Sequence, residues 1–371
     1  MASEPGRMLP FLEAVVSRGG SDLHLRADAP AKVRIGGALV EVTSEPVPAA
    51  EVTEMIRASM TDDVLATYDA CLEADYALAV PGLGRFRANA FRTRGTDGCV
   101  LRLIGDEPVP LEALGMPEAV RTLALRPRGL VLVTGPTGSG KTTTLAAMVD
   151  VVNRERAVHV LTLEDPIEVI HPSKRATVTQ RELGSDSLAW SSALRAAMRQ
   201  DPDVILIGEM RDADTVRAAL SAAETGHMVL STLHTTDALE TIHRIVDFFP
   251  PHEQRRVRAS LAASLEGIVC QRLVPRADGT GRVCVMEIAV RDVRLAEAVG
   301  DADKSESIPD IIADGTYSGM QTFDQDLLRL TVDGTVSPAT AQLAASNPHD
   351  FRVMLKRAGW RPDEARLGGV G

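Results

Sequence analysis

Aromatic residues are scarce, at 3% of the 371-residue chain, and several other features are missing altogether. The four cysteines, Cys71, Cys99, Cys270 and Cys284, stand far apart with no C-x-x-C pair, so the spacing of a zinc site and a disulfide framework are both absent. Reduced thiols are the simplest reading. A basic excess is also missing: 40 Lys+Arg against 51 Asp+Glu leave a net charge of -11. A general nucleic-acid binder needs a cationic footprint, so nucleic acid is not an expected partner, although a local basic groove is compatible with that balance. No stretch reaches the roughly 18 apolar residues that span a bilayer, and Met1 to Gly20 has mixed charge without an apolar h-region. The expectation is a cytoplasmic protein that touches a membrane only through a partner. There is no internal repeat and no low-complexity segment, and the length suits two domains.

What is present centres on Gly135-Pro136-Thr137-Gly138-Ser139-Gly140-Lys141-Thr142, which fits G-x-x-x-x-G-K-[ST]. Before it runs Gly129 to Thr134, an apolar β-branched segment that reads as a buried strand. After it Thr143, Thr144, Leu145, Met148, Val149 and Val152 fall at helical spacing. Strand, glycine loop and helix in that order make a phosphate-binding P-loop. Its glycines let the backbone curl so that successive N–H groups face phosphate oxygens, and the helix beginning near Lys141 adds the positive end of its dipole. Lys141 is expected to reach the β- and γ-phosphates of ATP, and the Thr142 hydroxyl to ligate Mg²⁺. Residues 135–143 are the expected nucleotide-binding stretch.

The remaining patterns place this loop in a larger frame. Met8 to Val16 and Glu51 to Met60 have helical spacing. Strands are expected at Ser21 to Leu25, Val33 to Ile35, Ala38 to Val40, Glu73 to Val80, Arg85 to Phe91 and Val100 to Ile104, so residues 1–104 read as a small α+β domain. The proline-rich stretch 105–110 is the linker candidate, and 111–371 the second domain. There, short β-branched runs at Val158 to Leu163, Val204 to Ile207 and Met228 to Thr232 alternate with helical segments, the mark of a mostly parallel sheet with crossover helices. The spacing of Val257, Leu261, Leu265, Ile268 and Val269 predicts a long helix from about His252 to Arg272.

A P-loop needs a carboxylate to position the attacking water, and Glu209 stands just past the apolar run Val204 to Ile207, which makes it the leading general base. Glu164, within the cluster Glu164-Asp165-Pro166-Ile167-Glu168, is the carboxylate expected to face Mg²⁺ or its waters; the alternative is an ordinary Asp-Pro turn. His227 and His234 flank the run Met228 to Thr232, where either a phosphate contact or a purely packed histidine fits. Arg85, Arg87, Arg92 and Arg94 cluster on and past one strand, as arginine fingers or as a solvated face.

Taken together, Ser21-Asp22-Leu23-His24-Leu25, Gly84-Arg85-Phe86-Arg87-Ala88-Asn89, the P-loop, Glu164 to Glu168, Gly208-Glu209-Met210-Arg211-Asp212, Ala223-Glu224-Thr225-Gly226-His227 and Thr232-Leu233-His234-Thr235-Thr236 resemble the pilus retraction ATPases of the type II/IV secretion ATPase superfamily. The resemblance implies an α/β protein, with a RecA-like P-loop NTPase core and a smaller α+β PAS-like amino-terminal domain. It implies an ATP- and Mg²⁺-dependent homo-hexameric motor that powers pilus retraction, at the inner face of the cytoplasmic membrane, against an inner-membrane platform protein. By motif match, Glu164 lies in the Asp box, Glu209 is the Walker B catalytic glutamate, His227 and His234 form the His box, and Arg85, Arg87 and Arg92 face nucleotide. Assembly and secretion ATPases usually carry an extra amino-terminal domain and a four-cysteine insertion, neither of which has a counterpart in these residues. The family's AIRNLI motif, linked to retraction, is matched poorly by Arg294 to Val299. Pilus assembly or type II secretion, and a weakly hydrolysing accessory subunit, stay as alternatives.

Overall fold

The computed structural model describes residues 6–105 and 107–360; residues 1–5 at the amino end, position 106 in the expected linker and residues 361–371 of the expected second domain lie outside it. Two compact units emerge. The first comprises Met1–Pro108 together with Pro166–His171, and the second Val109–Asp165 with Pro172–Gly371.

In the first unit β1 (Asp22–Arg26), β2 (Lys32–Ile35), β3 (Ala38–Glu41), β4 (Glu73–Val80), β5 (Gly84–Thr93) and β6 (Thr96–Ile104) form one sheet in the order β3-β2-β1-β6-β5-β4. All its pairings are antiparallel. Alternation decides which face is covered, because successive side chains of a strand point to opposite sides. Leu23, Leu25, Phe86, Ala88, Ala90 and Leu101 point into the core, together with Leu12, Val15, Val52 and Ile56 from the helices Leu9–Ser17 and Ala49–Ala58. The further helix Asp62–Cys71 has no counterpart in the sequence reading; Tyr68 is its one buried residue, so its amphipathic pattern is weak. Val169 bridges to Gly105, which ties the 166–171 segment to this unit.

The second unit contains β7 (Gly129–Thr134), β8 (His159–Glu164), β9 (Thr177–Glu182), β10 (Val204–Ile207), β11 (Met228–Leu233), β12 (Leu265–Pro275) and β13 (Arg282–Val290), in the order β13-β12-β7-β11-β10-β8-β9. Every neighbouring pair is parallel except β12 with β13. Strands covered on both faces read as continuous apolar runs. Accordingly β7, β10 and β11 are buried at every position. This is the RecA-like P-loop core that the resemblance implied. Among the described residues, no helix is long and apolar enough to cross a membrane.

One expectation is corrected. The helix expected from His252 to Arg272 stops at Ser264, and Leu265–Pro275 is β12, laid parallel to β7 with a register shift between Leu265 and Gly267. Leu265, Ile268 and Val269 are buried as the pattern required, but an apolar run of that length fits a buried strand as well as a helix. Tertiary pairing with β7 decides between them.

Gly267 separates the two conformations experimentally. In a helix, Gly→Ala would gain about 1 kcal/mol. In the strand an added Cβ would stand 2.7 Å from Leu123 Cδ2 and 2.9 Å from the Ala289 carbonyl oxygen. Gly267→Ala is therefore expected to destabilise the protein by about 1–3 kcal/mol, read as a lowered urea midpoint at unchanged m-value.

Candidate nucleotide site

The loop after β7 takes its shape from two glycines in particular. Gly135 has φ 142° and is wedged: an added Cβ would lie 2.4 Å from the Gln271 carbonyl oxygen and 2.6 Å from Ser139 Oγ. Gly140, at φ 93°, is the left-handed residue from which the helix Lys141–Glu155 starts. Between them Pro136, Thr137 and Gly138 are exposed while Ser139 is buried. Lys141 folds back under this loop; its Nζ donates to the carbonyl oxygens of Gly135 at 2.7 Å and Pro136 at 3.1 Å. Thr142 and Thr143 lie exposed in the first turn of the helix, where backbone N–H groups and the helix dipole favour an anion.

Sequence reasoning missed what holds the loop from below. Gln271 on β12 is fully buried, and its Nε2 donates to Thr144 Oγ1 at 2.8 Å, fixing the helix to a strand 127 positions away. Only the parallel pairing of β12 with β7 brings Gln271 there, and that pairing was not legible locally.

The neighbouring strands deliver the other groups to the same edge. Glu209 follows β10 after Gly208, whose N–H donates to the Leu163 carbonyl at 2.8 Å and whose carbonyl accepts from Thr232 Oγ1 at 2.7 Å. The turn carrying Glu209 is thus pinned to both flanking strands. His234 follows β11. Its Nδ1 stands 3.4 Å from Lys141 Nζ and its Nε2 3.3 Å from Glu209 Oε1. The tautomer protonated at Nε2 satisfies both contacts, donating to the carboxylate and accepting from the ammonium. Arg211 Nε donates to Glu209 Oε2 at 2.8 Å, and this bond holds the guanidinium above its ordinary pKa. Lys141, His234 and Glu209 therefore form a continuous chain across three strand ends, with Arg211 on the outer oxygen.

Glu164 ends β8 on the same edge, and its Oε1 accepts from the Thr162 hydroxyl at 2.6 Å and from Gln180 Nε2 at 3.2 Å. The acidic cluster it begins is divided: Glu164 and Asp165 go with the second unit, whereas Pro166, Ile167 and Glu168 go with the first. His227 is not brought to this edge. It precedes β11, at the opposite end of the strand from His234, where its Nδ1 stands 3.0 Å from the Ala222 carbonyl and 3.1 Å from Thr225 Oγ1.

The arginines of the first unit divide by strand alternation. Arg85 and Arg87 share the face of β5 opposite to Phe86, Ala88 and Ala90; Arg92 is on the other face. Arg92 Nε pairs with the buried Asp97 at 3.3 Å, and Arg87 lies 3.9 Å from Glu168. Asp97 also accepts from Thr53 Oγ1 at 2.7 Å and Tyr68 Oη at 2.8 Å; although burial pushes the other way, these bonds and Arg92 hold its carboxyl below the ordinary value. Arg92 is thus committed within its own unit.

Comparison with known proteins finds relatives over most of the chain. Residues 7–318 match the family described as type II/IV secretion system protein. The chain is 44% identical over 334 residues to the type IV pilus retraction ATPase PilT of Pseudomonas aeruginosa, covering 90% of this chain and 96% of that one. It is 43% identical over 315 residues to a twitching motility protein of Neisseria gonorrhoeae, covering 85% and 84%. Among solved structures, that of the pilus retraction motor PilT with bound ADP superposes with a TM-score of 0.86 at 39% identity, covering 94% of this chain and 99% of that one.

The wedge at Gly135 gives the first test of the site. Gly135→Ala is expected to leave the fold in place but to weaken ADP binding by about tenfold or more, since the added methyl must push the loop off Gln271. Titration with a fluorescent ADP analogue measures it, and unchanged affinity would mean that the loop does not hold the phosphates.

Proposed function

The chain belongs to the type II/IV secretion system protein family and is an ATPase, and from that premise we propose that it powers type IV pilus retraction as a homo-hexameric ring. The observation that carries the chemistry is the Lys141–His234–Glu209 chain, because it sets a cation, a proton-carrying ring and a carboxylate along the edge where the P-loop opens. In this reading the backbone N–H groups of residues 135–143 hold the phosphates, and Lys141 leaves the loop carbonyls to neutralise charge on the β- and γ-oxygens. Glu209 orients the attacking water and takes its proton. His234 keeps the carboxylate aimed and is itself placed to sense the γ-phosphate.

Mg²⁺ fits this donor set. It binds reluctantly to all-protein cages and prefers phosphate and water with one or two protein oxygens. The exposed Thr142 hydroxyl, with Glu164 and Glu209 on the adjoining strand ends, would hold it, and it would supply charge neutralisation at the transferred phosphoryl group. Arg85 and Arg87 are the arginines we assign to nucleotide contact in the closed state; Arg92, held by Asp97, supports the strand instead. In this reading 1–104 and 111–371 are the two domains and 105–110 their linker, with Pro166–His171 grouped with the first. Differential ATP and ADP affinity of open and closed states then drives rotation of one domain against the other. The work passes to an inner-membrane platform protein at the cytoplasmic face, with no nucleic acid involved.

Retraction is favoured over assembly by extent of likeness. The type IV pilus assembly ATPase PilB of P. aeruginosa matches at 40% identity but covers only 51% of this chain and 32% of its own length. An accessory, weakly hydrolysing role is the second reading, and the chain is also 38% identical over 93% of its length to the type IV pilus ATPase PilU of the same organism. The segment that departs from AIRNLI forms the helix Val293–Gly300, with Leu295, Ala298 and Val299 buried, so its pattern is amphipathic despite the changed residues.

Two variants separate binding from chemistry. Lys141→Ala is expected to lose tight ATP binding, whereas Glu209→Gln should keep ATP bound and lower turnover by about 100-fold or more. Filter retention of labelled ATP alongside phosphate release measures both. Full turnover in Glu209→Gln would transfer the role of base to Glu164, and near-zero turnover in the unaltered protein would favour the accessory reading.

A further inference from the structure

His234 needs a fixed backbone to stand between Lys141 and Glu209, and its loop is anchored from an unexpected side. The residues after it run into the helix Ala238–Asp247. Asp237 caps that helix by accepting from Glu240 N at 2.8 Å, and Glu240 Oε2 accepts from Thr236 N at 2.7 Å. Thr235 and Thr241 hydroxyls meet at 2.6 Å. These contacts hold the loop to its own helix but not to the sheet. Beyond β11 itself, from which the loop leaves, Glu287 on β13 ties it to the sheet: its Oε1 accepts from Ala238 N at 2.9 Å across 49 residues of chain.

Glu287 is held on its other side as well. Met286 N donates to the buried Asp326 Oδ2 at 2.9 Å, and Ile288 exchanges two backbone bonds with Gln321, at 2.8 and 3.0 Å. The strand that presents Glu287 is therefore fixed by the carboxy-terminal helical segment, while its carboxylate reaches the helix that follows His234. We propose that Glu287 is a positioning residue for ATP hydrolysis: it fixes the first turn of the helix Ala238–Asp247 and, through it, keeps His234 between Lys141 and Glu209. The inference rests on the reading of Lys141, His234 and Glu209 as the hydrolytic site.

The charge on this carboxylate is sensitive to pH near neutrality. Asp237 from the helix cap and Asp324 from the helix Phe323–Val332 face it as anions, Cys270 pairs with it across β12, and Arg272 on β12 is the facing cation. Burial is the leading cause that pushes its pKa up to about 7, with the two aspartates adding to the shift. The folded chain thus holds this proton more tightly than the unfolded one, so this group's contribution to stability falls as pH rises from the ordinary carboxylate range to about 7. The ionised form, once reached, makes the stronger, charge-assisted bond to Ala238 N and complements the helix N-terminus. The grip on the His234 loop accordingly tightens above about pH 7 and slackens below it.

The test compares Glu287→Ala and Glu287→Gln in the full chain, by steady-state ATPase assay between pH 6 and 8.5 and by ADP titration. Glu287→Ala is expected to lower kcat by about tenfold while the ADP Kd changes by less than about twofold, because only the alignment of His234 is lost. Glu287→Gln keeps an acceptor for Ala238 N without the proton. As a neutral acceptor it stands in for protonated Glu287, so it is expected to give a kcat between those of Glu287→Ala and the unaltered protein, and to lack the decline in rate expected of the unaltered protein below about pH 7. Unchanged kcat in Glu287→Ala, or a Glu287→Gln pH profile that superposes on the unaltered one, would overturn the proposal. Should Glu287→Ala fail to fold, the Glu287→Gln profile alone decides. Full turnover in Glu209→Gln would instead overturn the reading of the site, whatever Glu287 does, so the two failures are distinct.

Discussion

Parallel pairing forces neighbouring strands to finish on the same side, and in the second unit every group of the candidate site depends on that constraint. Thr134 pairs with Leu233, and Ile207 pairs with both Ser231 and Leu163, so β7, β11, β10 and β8 end nearly level. The next residues along each strand are Gly135, His234, Gly208 with Glu209, and Glu164. A slip of register between β7, β11 and β10 would separate cation, imidazole and carboxylate by more than a hydrogen bond can reach. Small hydroxyls lock the register from within: Ser231 Oγ donates to the Ile207 carbonyl at 2.8 Å, next to the Thr232 bond to Gly208.

That dependence explains what could and could not be read from the chain. The P-loop is a local signal, in which glycine, lysine and threonine sit within eight residues and the flanking strand and helix are patterned by burial. The acidic residue after β10 was legible for the same reason. The meeting of Lys141, Glu209 and His234 was not, because it is a property of strand order. His227 and His234 show the difference: seven residues apart in a helix they would be neighbours two turns apart, but across a six-residue strand they stand about 20 Å apart at opposite ends. Arg92 likewise looked equivalent to Arg85 and Arg87, until strand alternation put it on the other face and Asp97 occupied it.

β12 marks where periodicity fails. Its apolar residues continue the helical spacing begun at Val257, and nothing local stops the helix at Ser264. The deciding contacts are with β7 and with Leu123, far off in sequence, and they leave room for no side chain at Gly267. The same strand then supplies Gln271 beneath the P-loop, and its partner β13 supplies Glu287 to the His234 loop. The β12–β13 hairpin, whose first strand carries helical spacing, thus braces the site from two directions.

In this account a nucleotide edge built by parallel strands converts ATP hydrolysis into the pulling of pili. Deleting the gene in its host and counting surface pili while scoring surface motility tests that claim most directly. Excess pili with motility lost is the result expected of a retraction motor whose altered helix Val293–Gly300 still serves the family's work. Loss of pili would contradict it, and would assign the same hydrolytic site to building pili instead.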